Sequence, residues 1–203
     1  MERGKLKIYF GYSAGVGKTY AMLKAAQEAR ADGEDVIIGY LEPHDRPDTL
    51  KMAEGLPVLP LKNIDYKGIT LKEFDVDAAL ERRPQIILVD ELAHTNAIGS
   101  KNQKRYLDVE ELINNGINVW TTVNVQHIEG LHDLIDSATS VDVNERIPDE
   151  IFDYADERVK FIIRLMPLWR WRIFSGQIIF RPCANFLCGA MRTELRSRVI
   201  MEN

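Results

Sequence analysis

Short apolar runs alternate along the chain with longer stretches whose apolar residues recur at helical spacing, and this alternation predicts a β-α-β-α rhythm. "LKIYFGY" (6–12) is a run of apolar, β-branched and aromatic residues ending in tyrosine after glycine, and "KTYAMLKAAQEARADG" after it is rich in helix formers and stops at Gly33. Strand, loop and helix follow. "DVIIGYLE" (35–42) reads as a second buried strand, and "RPQIILVDE" (83–91) as a third, whose four consecutive apolar residues, Ile86 to Val89, suit a parallel strand covered on both faces. Between them, 55–83 carries Pro57, Pro60 and the turn-like "YKG" at 66–68, predicting a short hairpin and a helix inserted in the framework. "NQKRYLDVEELINNG" (102–116) places Tyr106, Val109, Leu112 and Ile113 on one helical stripe and ends at "NNG". "INVWTTVNV" (117–125) is the fourth strand and "HIEGLHDLIDSA" (127–138) the next helix. The expected fold is α/β: a mostly parallel, doubly wound sheet flanked by helices, with a small hairpin insertion and ligands at the carboxyl ends of the strands.

Composition changes this picture little until charge is divided along the chain. A 203-residue chain with 45% hydrophobic and 28% charged residues is an ordinary globular protein. No signal-peptide h-region follows the N-terminal charges, so a cytoplasmic location is expected. Residues 1–157 carry 17 basic and 29 acidic groups, whereas 158–203 carry nine basic and two acidic. An acidic body argues against nucleic-acid binding. Cys183 and Cys188 form a lone pair without the further ligands of a structural zinc site, and the four histidines are dispersed.

The chemistry concentrates in "FGYSAGVGKTYAM" (10–22). A loop that grips polyphosphate needs glycines for close backbone approach, consecutive N–H groups, a helix N-terminus behind them, a lysine for the β- and γ-phosphates and a hydroxyl for Mg²⁺. Gly15, Gly17, Lys18 and Thr19 supply these parts between a strand and a helix, so the amides from Ser13 through Ala14, Gly15, Val16 and Gly17 to Thr19 are expected to curl around a triphosphate. The Walker A pattern would place glycine at position 12, but Tyr12 stands there and Gly11 precedes it. Asp90 and Glu91, ending "IILVDE", are the expected Mg²⁺ ligand and the group that polarises attacking water; alternatively they are a cap and an ion-pair partner. Thr19 and Asp90 would hold the metal, and Lys18 and Glu91 would carry any hydrolysis. His94 and Asn96 follow, and Thr121, Asn124, Gln126 and His127 offer neutral groups near the end of the fourth strand. These residues either sense the γ-phosphate or tie loops together.

With "GYLEPHDRPDT", "VDELAHTN", "TTVNVQH" and "VNERIPDEIFDYADE" added to the loop, residues 4–157 closely resemble the N-terminal cytoplasmic sensor domain of the KdpD family of potassium- and osmotic-stress-responsive sensor histidine kinases. In that family the loop also has its first glycine one place early. The resemblance implies a P-loop NTPase-like regulatory module that binds ATP and Mg²⁺, modulates kinase and phosphatase output, and works with the remaining domains of a sensor kinase or its response regulator. It also matches His44 and Arg46 to the polar turn after the second strand, where Arg46 suits phosphate. The chain carries no phosphorylated-histidine box or kinase nucleotide box, so at most slow ATP hydrolysis is expected. A free-standing P-loop NTPase or phosphotransferase is the alternative, and a nucleotide-free scaffold a third reading.

The resemblance breaks at Arg158, dividing the chain into a nucleotide-binding domain (1–157) and a basic, atypical tail (158–203) with both cysteines and two of the three tryptophans. A shifted reading frame fits this abrupt change best. Ordinary divergent helices and an interfacial Trp- and Arg-bearing helix on anionic lipid are the alternatives, and membrane contact falls to this tail alone. Arg164, Arg170 and Arg172 argue against a span, since each central arginine costs on the order of 2.5–3.5 kcal/mol.

Overall fold

A computed structural model describes residues 2–12, 14–42, 47–130 and 145–161, with two short strand segments beyond them. In chain order the elements are β1 (Leu6–Gly11), α1 (Lys18–Ala31), β2 (Val36–Tyr40), α2 (Pro47–Ala53), β3 (Lys62–Tyr66), β4 (Ile69–Glu73), α3 (Val76–Arg82), β5 (Ile86–Val89), α4 (Arg105–Asn114), β6 (Asn118–Asn124), α5 (Asp149–Asp153), β7 (Glu157–Phe161), β8 (Ile173–Phe174) and β9 (Gln177–Ile178). The central sheet has the order β2-β5-β6-β1-β7. Its four neighbouring pairs are all parallel, so it is wholly rather than mostly parallel.

The two-residue period of the strands sorts their side chains onto two layers. Tyr9, Val36, Ile38, Ile86 and Leu88 face α1, where Met22, Leu23 and Ala26 complete one core. Ile8, Ile37, Ile87, Val89, Val119 and Val123 face the other way, against Val109 and Leu112 of α4, Val76 and Ala79 of α3, and Ile151 of α5. Fully burying a side chain such as Leu23 contributes roughly 1.5–3 kcal/mol, and both faces of the sheet draw on this. The continuous burial of β5 follows from that double cover.

The connection from β1 runs through α1 towards β2, whereas the connection from β6 runs past α5 to β7, on the other side of β1. The two paths diverge between β1 and β6, and a crevice opens at the carboxyl ends of strands where such paths part. The insertion is the expected hairpin and helix. Lys67 and Gly68, at φ 50° and 81°, form a two-residue turn with both central residues at positive φ, the twist that suits a tight hairpin. Asp75 caps α3 by accepting a hydrogen bond from the Ala78 amide at 3.1 Å.

The predicted helix over 127–138 falls largely outside the described residues. A 3₁₀ turn, Val125–His127, stands at its expected start, followed by a bridge between Ile128 and Ile147. β7 runs across the compositional break at Arg158 and pairs with β1 up to Phe161. Among the described residues no helix is long and apolar enough to cross a membrane. Both cysteines, and most of the tail on which a shifted frame, divergent helices or lipid contact would act, lie outside them.

Candidate functional site

The loop between β1 and α1 accounts for its unusual glycine. A Cβ on Gly11 would stand 2.8 Å from Val16 Cγ2 and 2.9 Å from the Phe161 carbonyl oxygen. The early glycine therefore lets β7 pair closely and lets Val16 fold back over the end of β1. Gly15 and Gly17 have φ of 86° and 98°, the left-handed region that L side chains rarely adopt. Gly17 is also the N-cap of α1, which receives no side-chain cap and has no acidic residue in its first turn. Its leading N–H groups thus point forward as partial positive charge.

Three strand ends converge on this helix start. Lys18 is only 7% exposed and its Nζ donates to Asn124 Oδ1, from the end of β6, at 2.6 Å. A buried ammonium needs such partners, because an uncompensated one costs several kcal/mol or loses its proton. Asp90 continues the α1-facing row of β5 and is 1% exposed. The Thr19 hydroxyl lies 3.4 Å from both of its carboxylate oxygens, and the Thr122 hydroxyl donates to one of them.

These groups border an open cleft, lined on one wall by Gly15, Lys18, Thr19 and Tyr20 and on the other by Glu91 and His94. Asn124, His127, Glu145 and Thr49 also line it. Glu91 has φ 57°, uncommon for a non-glycine residue, and its amide donates to the Thr122 hydroxyl at 3.3 Å. The backbone thereby turns sharply at the residue after Asp90. Two carboxylates with different surroundings result, one sunk between hydroxyls and one at the cleft wall.

Behind this wall lies an ionic network whose centre is the fully buried Arg105. Its guanidinium donates to Glu73 Oε2 at 3.0 Å, to Asn96 Oδ1 at 3.2 Å and to the Asp90 carbonyl at 3.3 Å, and lies 4.0 Å from the centre of the Tyr40 ring. Glu73, at the end of β4, also accepts from the Ala97 amide at 2.9 Å and lies 3.3 Å from His94 Nε2. Burial, the largest influence on Glu73, pushes its carboxyl up. The His94 and Ala97 hydrogen bonds with the His94 and Arg105 charges outweigh it and hold the group below its ordinary range. For Asp108 burial prevails over the Asn102 and Asn96 hydrogen bonds and raises the carboxyl. The guanidinium lies nearer Glu73, at 3.0 Å, than Asp108, at 4.0 Å.

The structure brings Ala14, Gly15, Gly17, Lys18, Thr19, Asp90, Glu91, His94 and Asn124 to one cleft. Ser13, His44 and Arg46 lie outside the described residues. Val16 covers Gly11 and is not among the residues lining the cleft, and neither is Gln126, which sits in the 3₁₀ turn between the lining residues Asn124 and His127. Asn96 turns into the network, donating to Asp108 Oδ2 at 2.6 Å. Thr121 is fully buried and, among the described residues, no hydrogen-bond partner meets its hydroxyl, whereas Thr122 is the residue that meets Asp90. The strand period decides between them: Thr122 shares the α1 side with Asn124, a parity legible from the sequence. Tyr20, Thr49 and Glu145 escaped the sequence reading because nothing local marks them.

Comparison with known proteins places the chain in a family. The family described as "KdpD: Osmosensitive K+ channel His kinase sensor domain" matches residues 2–180. "Sensor protein KdpD" of Clostridium acetobutylicum is 62% identical over 156 residues, covering 77% of this chain and 17% of that protein. The protein of the same name from Escherichia coli K12 is 57% identical over 158 residues, 78% of this chain and 18% of that one. "Putative sensor protein KdpD" of Synechocystis sp. is 49% identical over 207 residues, 99% of this chain and 55% of that one. The chain thus spans less than a fifth of the first two relatives and about half of the third. On the match over residues 2–180 and these identities, the chain belongs to the KdpD sensor-domain family.

Proposed function

We propose that the cleft binds ATP with Mg²⁺, that the fold is of the P-loop NTPase type, and that the domain is a regulatory input of a potassium- and osmotic-stress-responsive two-component system. The observation that carries this reading is the convergence of Lys18, Thr19, Asp90 and Asn124 on the helix start behind Gly15 and Gly17. A lysine and a row of forward-pointing amides suit a polyphosphate, whose negative charge repays the buried ammonium.

Thr19 and Asp90 are the residues that would hold the metal. Both are oxygen donors, and their 3.4 Å separation is close to the spacing of about 2.9 Å between neighbouring ligands of octahedral Mg²⁺. Among the described residues no group of three or more His, Cys, Asp or Glu is placed to cage a metal. A Mg²⁺ ion here would complete its shell with phosphate and water, its usual manner with nucleotides, and would supply charge neutralisation at the β- and γ-phosphates.

The relatives of which this chain spans 17–18% are sensor proteins by name, which supports partners among further domains of a sensor histidine kinase. Regulation would act through differential affinity: nucleotide shifts the domain between two states only as far as it binds one better. Calorimetric titration with Mg·ATP tests the reading. Lys18→Ala is expected to bind at least about tenfold more weakly, a loss of ~1.4 kcal/mol, and equal affinity would remove Lys18 from the site.

Glu91 at the cleft wall favours a second reading, in which turnover itself is the function and the domain acts as an NTPase or phosphotransferase. Steady-state phosphate release separates the two. Turnover well above ~1 per second supports the second, and slow or absent release the first.

A further inference from the structure

Resting on the nucleotide reading above, we infer that Tyr20 is the base-binding residue of the cleft: its ring stacks on the nucleobase, with the Thr49 hydroxyl beside it, and so distinguishes a nucleoside triphosphate from bare polyphosphate. Tyr20 and Thr49 line the same cleft as the phosphate-facing residues, on α1 and α2, two helices packed side by side.

The direction of the phosphate chain follows from the residues around it. In a loop of this kind the lysine reaches the β- and γ-phosphates, and the amides at the helix start hold the α- and β-phosphates. Lys18 is buried against Asn124, and Glu91 stands at the wall behind it, so the γ-end belongs there. Tyr20 lies two residues further along α1, about 200° around the helix from Lys18. Both residues nonetheless line the one cleft, so a nucleotide whose last phosphate meets Lys18 can extend along it to the Tyr20 ring.

Three rings line the cleft, and two are already engaged. His94 lies 3.3 Å from Glu73 Oε1 and stacks near Tyr40, with ring centres 6.3 Å apart. His127 Nδ1 lies 2.7 Å from the Glu145 carbonyl oxygen. Tyr20 is 39% exposed, and among the described residues no hydrogen bond, ion pair or ring contact holds it. A large aromatic ring left open to water at a cleft mouth suits the face of a base, and stacking of this kind tolerates any base because each has a π-face.

The experiment titrates the protein, Tyr20→Ala and Tyr20→Phe with Mg·ATP and with Mg·tripolyphosphate. The wild type is expected to bind ATP more tightly than tripolyphosphate. Tyr20→Ala should bind ATP about 5- to 150-fold more weakly, the range of one base–aromatic stack. Its tripolyphosphate affinity should stay within about twofold of wild type, and Tyr20→Phe should keep the ATP affinity, since stacking uses the ring and not the hydroxyl. Tyr20 is exposed, so neither change removes core packing. Unchanged ATP affinity in Tyr20→Ala, or equal wild-type affinity for the two ligands, would overturn this assignment while leaving the phosphate site standing. A wild type that binds neither ligand would overturn both.

Discussion

Replacing Arg105 with methionine removes a charge from the interior while nearly keeping the length of the side chain. Arg105 is 0% exposed and Glu73 6%, so the carboxylate left behind has no water to replace its partner. Loss of one member of a buried ion pair costs roughly 3–5 kcal/mol, mostly as the penalty of the orphaned charge. The Asp90 carbonyl and Asn96 Oδ1 lose a donor as well. We therefore expect Arg105→Met to lose roughly 3–5 kcal/mol in urea unfolding followed by far-UV circular dichroism. Arg105→Met with Glu73→Gln leaves no orphaned charge at position 73, although Asp108, 4.0 Å from Arg105, still loses its cation, and the glutamine carbonyl can still accept from the Ala97 amide, so the pair should recover at least ~1 kcal/mol. The pH profile supplies an independent check. In the wild type the Glu73 carboxyl is held low, so its contribution is fully present above the ordinary glutamate value of about 4.3 and is lost as pH falls through the folded value. Without Arg105, burial is opposed by fewer partners and the carboxyl rises, so the deficit of Arg105→Met should be larger at pH 7 than at pH 4. A deficit below ~1 kcal/mol, or one equal at both pH values, would show that the guanidinium is not what compensates Glu73.

Gly11→Ala would set a methyl 2.9 Å from the Phe161 carbonyl oxygen and 2.8 Å from Val16. Overpacking of this kind costs roughly 1–3 kcal/mol, and because Val16 belongs to the loop, ATP affinity by calorimetry should fall together with the urea midpoint. Asp75→Ala removes the cap of α3 and is expected to cost ~1 kcal/mol with no change in ATP affinity, since the cap lies outside the cleft.

The sheet and its covering helices were legible in the sequence because a long periodic pattern outvotes local accidents. Ile86 to Val89 suited a strand buried on both faces, and the stripe of Val109, Leu112 and Ile113 a helix packed on one. The elements that escaped are short. α2 and α5 have seven and five residues, too few to display a period. In the site, residues fixed by backbone chemistry were visible: Gly15, Gly17, Lys18, Thr19 and Asp90. Asn96 misled because a polar residue after a strand end looks the same whether it faces a ligand or a buried arginine. The tail shows a different limit. Its composition changes abruptly at Arg158, while the family match runs to residue 180 and the Synechocystis alignment covers 99% of the chain.

The hairpin insertion, which reads in the sequence as decoration on an α/β framework, belongs to the candidate site by way of one carboxylate. Glu73 ends β4, accepts from the Ala97 amide, meets His94 and pairs with Arg105, so the segment from Glu91 to Ala97 is held from behind by the hairpin. Asp90 is consequently fixed twice, its carboxylate by Thr122 in front and its carbonyl by Arg105 behind. That double hold leaves the sharp turn at Glu91 little freedom, and the strain of a non-glycine φ of 57° persists because its surroundings determine it from both sides. Moving the hairpin away would separate the buried Arg105–Glu73 pair, at the cost that breaking such a pair carries. The insertion and the acidic wall of the cleft therefore move together or not at all, and a substitution at Glu73 reaches the cleft without touching it.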